Sequence, residues 1–243
     1  MIIINLVIFV VVGLALALFG GGGAIILIPY LKQVLGFPVD QAALLSLITI
    51  GINTGLQTIQ DRKTIAWKPA AIFSLFSFPV AILSAQYLAP ITPDSLRMII
   101  FGIFTLSVAL TMLLRKMEEN SGHRTNITGL VIAAITTGII CGLVGVGGGI
   151  FIAPTLIIFY GLTIKQSIKT SLAIVAFQSI AALGAYINRG VTIESSFLLY
   201  TLVFIAIGFT VGKKIKQFLP DQKLKRGFAI FLLVIGIWIL IKP

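Results

Sequence analysis

Phe19-Gly20-Gly21-Gly22-Gly23-Ala24-Ile25-Ile26-Leu27-Ile28-Pro29-Tyr30-Leu31 returns in outline 125 positions later as Val144-Gly145-Val146-Gly147-Gly148-Gly149-Ile150-Phe151-Ile152-Ala153-Pro154-Thr155-Leu156. Gly20, Gly22, Gly23 and Pro29 fall on Gly145, Gly147, Gly148 and Pro154. Both stretches interrupt apolar sequence. Paired interruptions of apolar segments at corresponding places in two halves point to a transport site in a membrane. The match runs on: Gly36 falls on Gly161, Gln41 on Gln166, Ser46 on Ser171 and Asn53 on Gln178. At an offset of 127, Asp61-Arg62 faces Asn188-Arg189 and Pro93-Asp94 faces Pro220-Asp221. One unit is used twice.

Composition places these stretches in a bilayer. The 243 residues are 58% hydrophobic and only 10% charged, whereas a soluble domain carries about 25% charged residues. The mean hydropathy is +1.11. Met1 to Phe19 lacks a basic leader and a small-residue cleavage motif, and reads as a retained membrane segment. The net charge of +11 sits in short loops, where it sets orientation and faces anionic headgroups, so nucleic acid is not an expected partner. Cys141 is the only cysteine and has no partner for a disulfide or a zinc site.

A spanning helix needs about 20 apolar residues. Candidate segments cover 2–19, 24–35, 41–60, 68–88, 95–115, 127–144, 149–160, 167–187, 194–212 and 224–241. The polar connection around residues 117–126 divides a first repeat (1–116) from a second (127–243). Cation placement then decides the shape of each half. If the glycine-broken segments cross in one pass, the Lys and Arg divide eight to ten between the two sides. If each is a hairpin that returns to its own side, they divide fourteen to four, as the positive-inside rule requires. The count itself demands only the second hairpin; the repeat extends the shape to the first. The expected fold is all-α and integral to the membrane. It has two inverted repeats, each a glycine-broken hairpin plus three transmembrane helices.

Glycine supplies the backbone conformations that a hairpin tip needs. The helices that begin after the tips leave N–H groups and partial positive charge at their N-termini, which suits an anion. The expectation is that Gly21, Gly22 and Gly23 from one half and Gly147, Gly148 and Gly149 from the other meet near mid-membrane. Ser46, Thr49 and Asn53 lie on one helical face, continued by Gln57, and Ser171 and Gln178 repeat the spacing. Ser46, Asn53, Ser171 and Gln178 are therefore candidate side-chain donors to the same anion. All seven acidic residues lie in loops or at helix ends, and His123 is in the central loop, so no buried proton relay is expected. Arg62 and Arg189 read as interfacial anchors. No metal-ligand cluster, catalytic triad or nucleotide loop is present, so neither enzyme chemistry nor a cofactor is expected.

The segments FGGGGAIILIPYL and GLVGVGGGIFIAPTLI, each followed by a short apolar piece and a Ser/Thr-bearing helix, resemble the TauE/SafE sulfite exporter family. That resemblance covers essentially the whole chain. It implies transport of small sulfur-containing anions such as sulfite, thiosulfate or organosulfonates across the bacterial inner membrane. It places the family's glycine motifs on Gly20 to Gly23 with Pro29 and on Gly145 to Gly149 with Pro154, and Val146 interrupts the second run. A channel without alternating access and a non-transport scaffold are the rival readings.

Overall fold

A computed structural model describes residues 2–20, 23–114, 126–145 and 149–241. The described residues form helices and connecting turns, with no strand. In chain order the helices are α1 (Ile2–Phe19), α2 (Gly23–Pro29), α3 (Val39–Asp61), α4 (Trp67–Leu83), α5 (Ala89–Ile91), α6 (Asp94–Leu114), α7 (Ile127–Val144), α8 (Gly149–Tyr160), α9 (Ile164–Asn188), α10 (Ser195–Phe218) and α11 (Asp221–Ile241). Past Pro29, α2 continues as a π-helical turn over Tyr30–Val34, and α4 continues through another over Ser84–Leu88. Seven spans are long and apolar enough to cross a bilayer. Large aliphatic side chains cover the outside, among them Leu75, Leu114, Ile180 and Val234, each at least 60% exposed. A surface this apolar suits lipid and not water.

Both glycine-broken segments are hairpins. Tyr30 donates from its hydroxyl to the Asn5 side-chain oxygen at 2.5 Å, which brings the end of the returning piece back to the start of α1. In the second half the Asn126 N–H donates to the Phe159 carbonyl at 2.9 Å, which brings the end of α8 back to the start of α7.

The principal helix pairings join one half to the other. α3 and α9 run antiparallel: Asp40 at the start of α3 pairs with Arg189 at the end of α9, and Lys169 near the start of α9 donates to Thr64 just past the end of α3 at 3.1 Å. α6 and α11 are also antiparallel, with Gly102 against Leu240 and Gly236 against Leu106. α1 runs parallel to α10, and α4 parallel to α7. Small residues allow these last two pairs to touch. A β-carbon on Gly208 would lie 1.9 Å from the Val10 carbonyl oxygen, and one on Gly142 would lie 2.3 Å from that of Ala81. Between apolar helices in lipid, close backbone approach replaces the hydrophobic drive to associate. Exchange of the halves preserves this pairing scheme. α3 and α9 form its centre: 67% of each is buried, against 28–50% of the other five spans.

The connecting segment 117–126 lies outside the described residues except for Asn126.

Candidate functional site

The centre of the bundle is where the polar groups are. Among the described residues, 11 of the 18 buried polar or charged residues belong to α3 and α9. α3 begins after Pro38, whose extended backbone ends the preceding turn, and it contains no acidic residue between Asp40 and Asp61. Several of its polar groups are satisfied within the helix. Thr49 donates to the Leu45 carbonyl at 2.7 Å, Asn53 to the Thr49 carbonyl at 2.8 Å and Thr54 to the Ile50 carbonyl at 2.8 Å. Such back-bonding is the usual outlet for a hydroxyl in an apolar helix.

Other buried groups meet no protein partner. Gln178 is 0% exposed, and neither its amide nitrogen nor its amide oxygen meets a hydrogen-bond partner. The hydroxyls of Ser46, Ser167 and Ser179 are also buried without partners. An unsatisfied buried polar group costs about 1–3 kcal/mol. Ser179 marks the crossing of the two helices, because a β-carbon on Gly51 would lie 2.9 Å from its own. Gln178 is therefore next to that crossing, and Asn53 is two residues from it.

Of the glycine candidates, Gly21, Gly22, Gly147 and Gly148 lie outside the described residues. Gly20 and Gly145 both take left-handed backbone angles, with φ of +71° and +77°, and end α1 and α7 in the same way. Each tip is seated on the other half. Ser171 of α9 donates to the Gly20 carbonyl at 2.8 Å, and Gly20 rests on Ile168. Gly145 rests on Ala43 of α3, which is the counterpart of Ile168 at offset 125.

Gly20 and Gly145 are set apart. Gly20 lies against the first turns of α9. Ala43, beneath Gly145, clusters with Ala182, Ala185 and Tyr186 near the other end of α9. From Ile168 to Ala185 a helix advances roughly 25 Å. Gly20 and Gly145 thus lie toward opposite ends of the α3–α9 seam. The cause is the length of the outgoing helices. α1 and α7 have 18 residues each, which at 1.5 Å per residue reach roughly 27 Å, nearly the whole hydrocarbon thickness. Ser171 thus belongs with the first tip. Ser46, one turn from Ala43, belongs with the second. Asn53 and Gln178 lie between.

At the end of the seam where Gly145 sits, three charged groups meet. Arg97 of α6 is 2% exposed and donates to Asp40 at 2.6 Å, and Arg189 donates to the other oxygen of the same carboxylate. Arg189 also donates to the Ala85 carbonyl at 3.2 Å and lies over the Tyr186 ring at 5.3 Å. The Tyr186 hydroxyl donates to the Gly142 carbonyl at 2.9 Å, which ties this cluster to the second hairpin. Arg189 is thus more than an interfacial anchor. Asp40 and Arg97 were not candidates from sequence; the only local signal is an acidic residue in the first turn of α3.

The model of the family described as sulfite exporter TauE/SafE matches residues 5–239. The chain belongs to this family. Among TauE/SafE relatives, a probable membrane transporter protein of Methanocaldococcus jannaschii is 24% identical over 95% of this chain and 92% of its own length. A probable membrane transporter protein of Bacillus subtilis is 27% identical over 95% of each chain. One from Xylella fastidiosa is 27% identical over 94% of this chain and 91% of its own. No solved structure matches. This TauE/SafE protein is a membrane transporter and not an enzyme.

Proposed function

We propose that this transporter carries a small sulfur-containing oxyanion, of the sulfite, thiosulfate or organosulfonate class, along the α3–α9 seam of a bacterial inner membrane. The observation that carries the reading is Gln178, wholly buried beside the helix crossing with both amide atoms free of protein partners. A polar cargo passing along the seam gives that amide, and the hydroxyls of Ser46 and Ser179, something to bind. No carboxylate lies within the seam to repel an anion. Asn53 and Ser171 add donors on the same two helices, and backbone N–H groups of Gly21 to Gly23 and Gly147 to Gly149 serve its two ends in turn.

The halves act as inverted repeats, a reading supported by the antiparallel run of their counterparts α3 and α9, and of α6 and α11. The fourteen-to-four charge division puts the lysine-rich face in the cytoplasm. Closure of the opposite face by Asp40, Arg97 and Arg189 favours a carrier that opens one face at a time over a channel with a continuous pore. The test is uptake of labelled sulfite and thiosulfate by the purified protein in liposomes. Saturable uptake that is lost in Gln178→Leu, with the variant still folded by circular dichroism, is the expected result. No flux of either anion, or uptake that rises without saturation, overturns the reading.

A further inference from the structure

We infer that a pocket at the lysine-rich face, bounded by α3, α9 and α10, is a binding site for a small dianionic oxyanion, where the cargo is held before it enters the seam. The inference rests on the carrier reading above and names the place where that carrier first meets its anion. The pocket is a cavity of about 350 Å³, lined by Lys165 and Lys169 of α9, Lys213 and Lys216 of α10, and Gln57 and Asp61 of α3. Four ammonium groups thus face one carboxylate. That carboxylate is already engaged: Asp61 accepts from Gln57 and lies 3.8 Å from Lys169. Lys213 donates to the neutral amide oxygen of Gln60 at 2.7 Å, which cancels none of its charge.

Repulsion among the lysines works against this arrangement. Lys165 and Lys169 are four residues apart on one helix, and Lys213 and Lys216 three apart on another, spacings at which like charges repel. Lys165 is also in the first turn of α9, at the positive end of the helix dipole. The repeat sharpens the point. At offset 125 the counterpart of Lys165 is Asp40, which sits in the first turn of α3 and closes the opposite face with Arg97 and Arg189. One copy of the unit thus carries an anion that seals its mouth, and the other carries a cation beside a cavity.

The pocket also leads somewhere. Ala17 and Leu172 form part of its wall. Ala17 is one turn before Gly20, and Leu172 follows Ser171, the residue that holds the Gly20 carbonyl. From Ser171 the same face of α9 runs two turns inward to Gln178.

A lipid phosphate has the same chemistry as a free oxyanion, so the test has two arms. Thiosulfate is titrated calorimetrically into the full chain in phosphatidylcholine vesicles, and thermal unfolding is compared in phosphatidylcholine with and without phosphatidylglycerol. The variants are Lys169→Gln/Lys213→Gln and the charge-retaining Lys169→Arg/Lys213→Arg. Wild type is expected to bind thiosulfate in phosphatidylcholine, the glutamine pair to bind it at least about tenfold more weakly, and the arginine pair to stay near wild type. Should the glutamine pair fail to fold, Lys165→Gln/Lys216→Gln carries the same expectation. Equal thiosulfate binding by wild type and glutamine variants overturns the assignment. So does a stabilisation by phosphatidylglycerol that depends on the lysines and comes with no thiosulfate binding. Uptake in the same vesicles separates the two readings: saturable uptake indifferent to the lysines removes the pocket alone, and lysine-dependent binding without any uptake removes the carrier alone.

Discussion

Gly208 shows what a single residue does in a protein whose outside is lipid. Its α-carbon sits so close to α1 that any β-carbon would overlap the Val10 carbonyl. Gly13, on the facing helix, is in the same position against the Ile205 carbonyl, at 2.0 Å. The contacted atoms are backbone, so relief requires the helices to part. Gly208→Val is therefore expected to cost at least about 1–3 kcal/mol, the usual penalty for overpacking. A lower unfolding midpoint in detergent checks it, with Gly227→Val as the control because no atom lies within 4 Å of a β-carbon there. An equal midpoint for both variants would show that the α1–α10 contact is looser than described. Gln178 is the opposite kind of residue. It is wholly buried and unpartnered, so its replacement by leucine is expected to remove a polar cost and leave the fold intact while uptake is lost.

At the scale of elements, the two hairpins determine which loops share a face. Lys63 follows α3, Lys214 is near the end of α10, and both belong to the face of the α7–α8 hairpin ends. Thr92 and Glu194 belong to the other face, near Asp94 and Arg189. Single cysteines in a Cys141→Ser background at Lys63, Lys169 and Lys214 are expected to label from one side with an impermeant thiol reagent, and those at Thr92 and Glu194 from the other. Labelling of Lys63 and Lys169 from opposite sides contradicts the second hairpin. Much of this is legible in the sequence. Positive charge is scattered if the glycine segments are crossings and sorted if they are hairpins, and a repeat of glycines, serines and amides extends the shape to both halves. The separation of Gly20 and Gly145 is not read from motif likeness, because a glycine run says that a helix breaks without saying where. That information lies in the 18 residues of α1 before the break, enough to carry Gly20 to the first turns of α9. The closure at Asp40 is illegible for another reason: Asp40, Arg97 and Arg189 are distant in the chain and meet only when α3, α6 and α9 are packed.

At the scale of the whole molecule the two halves grip each other through their long helices, and the two ends of the α3–α9 seam differ. At one, Asp40 pairs with Arg97 and Arg189; at the other, Lys165 takes the place of Asp40 beside a 350 Å³ cavity. A carrier with inverted halves exchanges these conditions by rocking one half against the other about the central helices. The closure must then open in every cycle, and locking it must stop transport without touching the seam. The most direct measurement is thiosulfate uptake by liposomes containing Asp40→Cys/Arg189→Cys in the Cys141→Ser background, bridged with a short bis-methanethiosulfonate and then reduced. Saturable uptake that vanishes on bridging and returns with reductant is the result the account predicts. Uptake that continues undiminished through the cross-linked protein would contradict it.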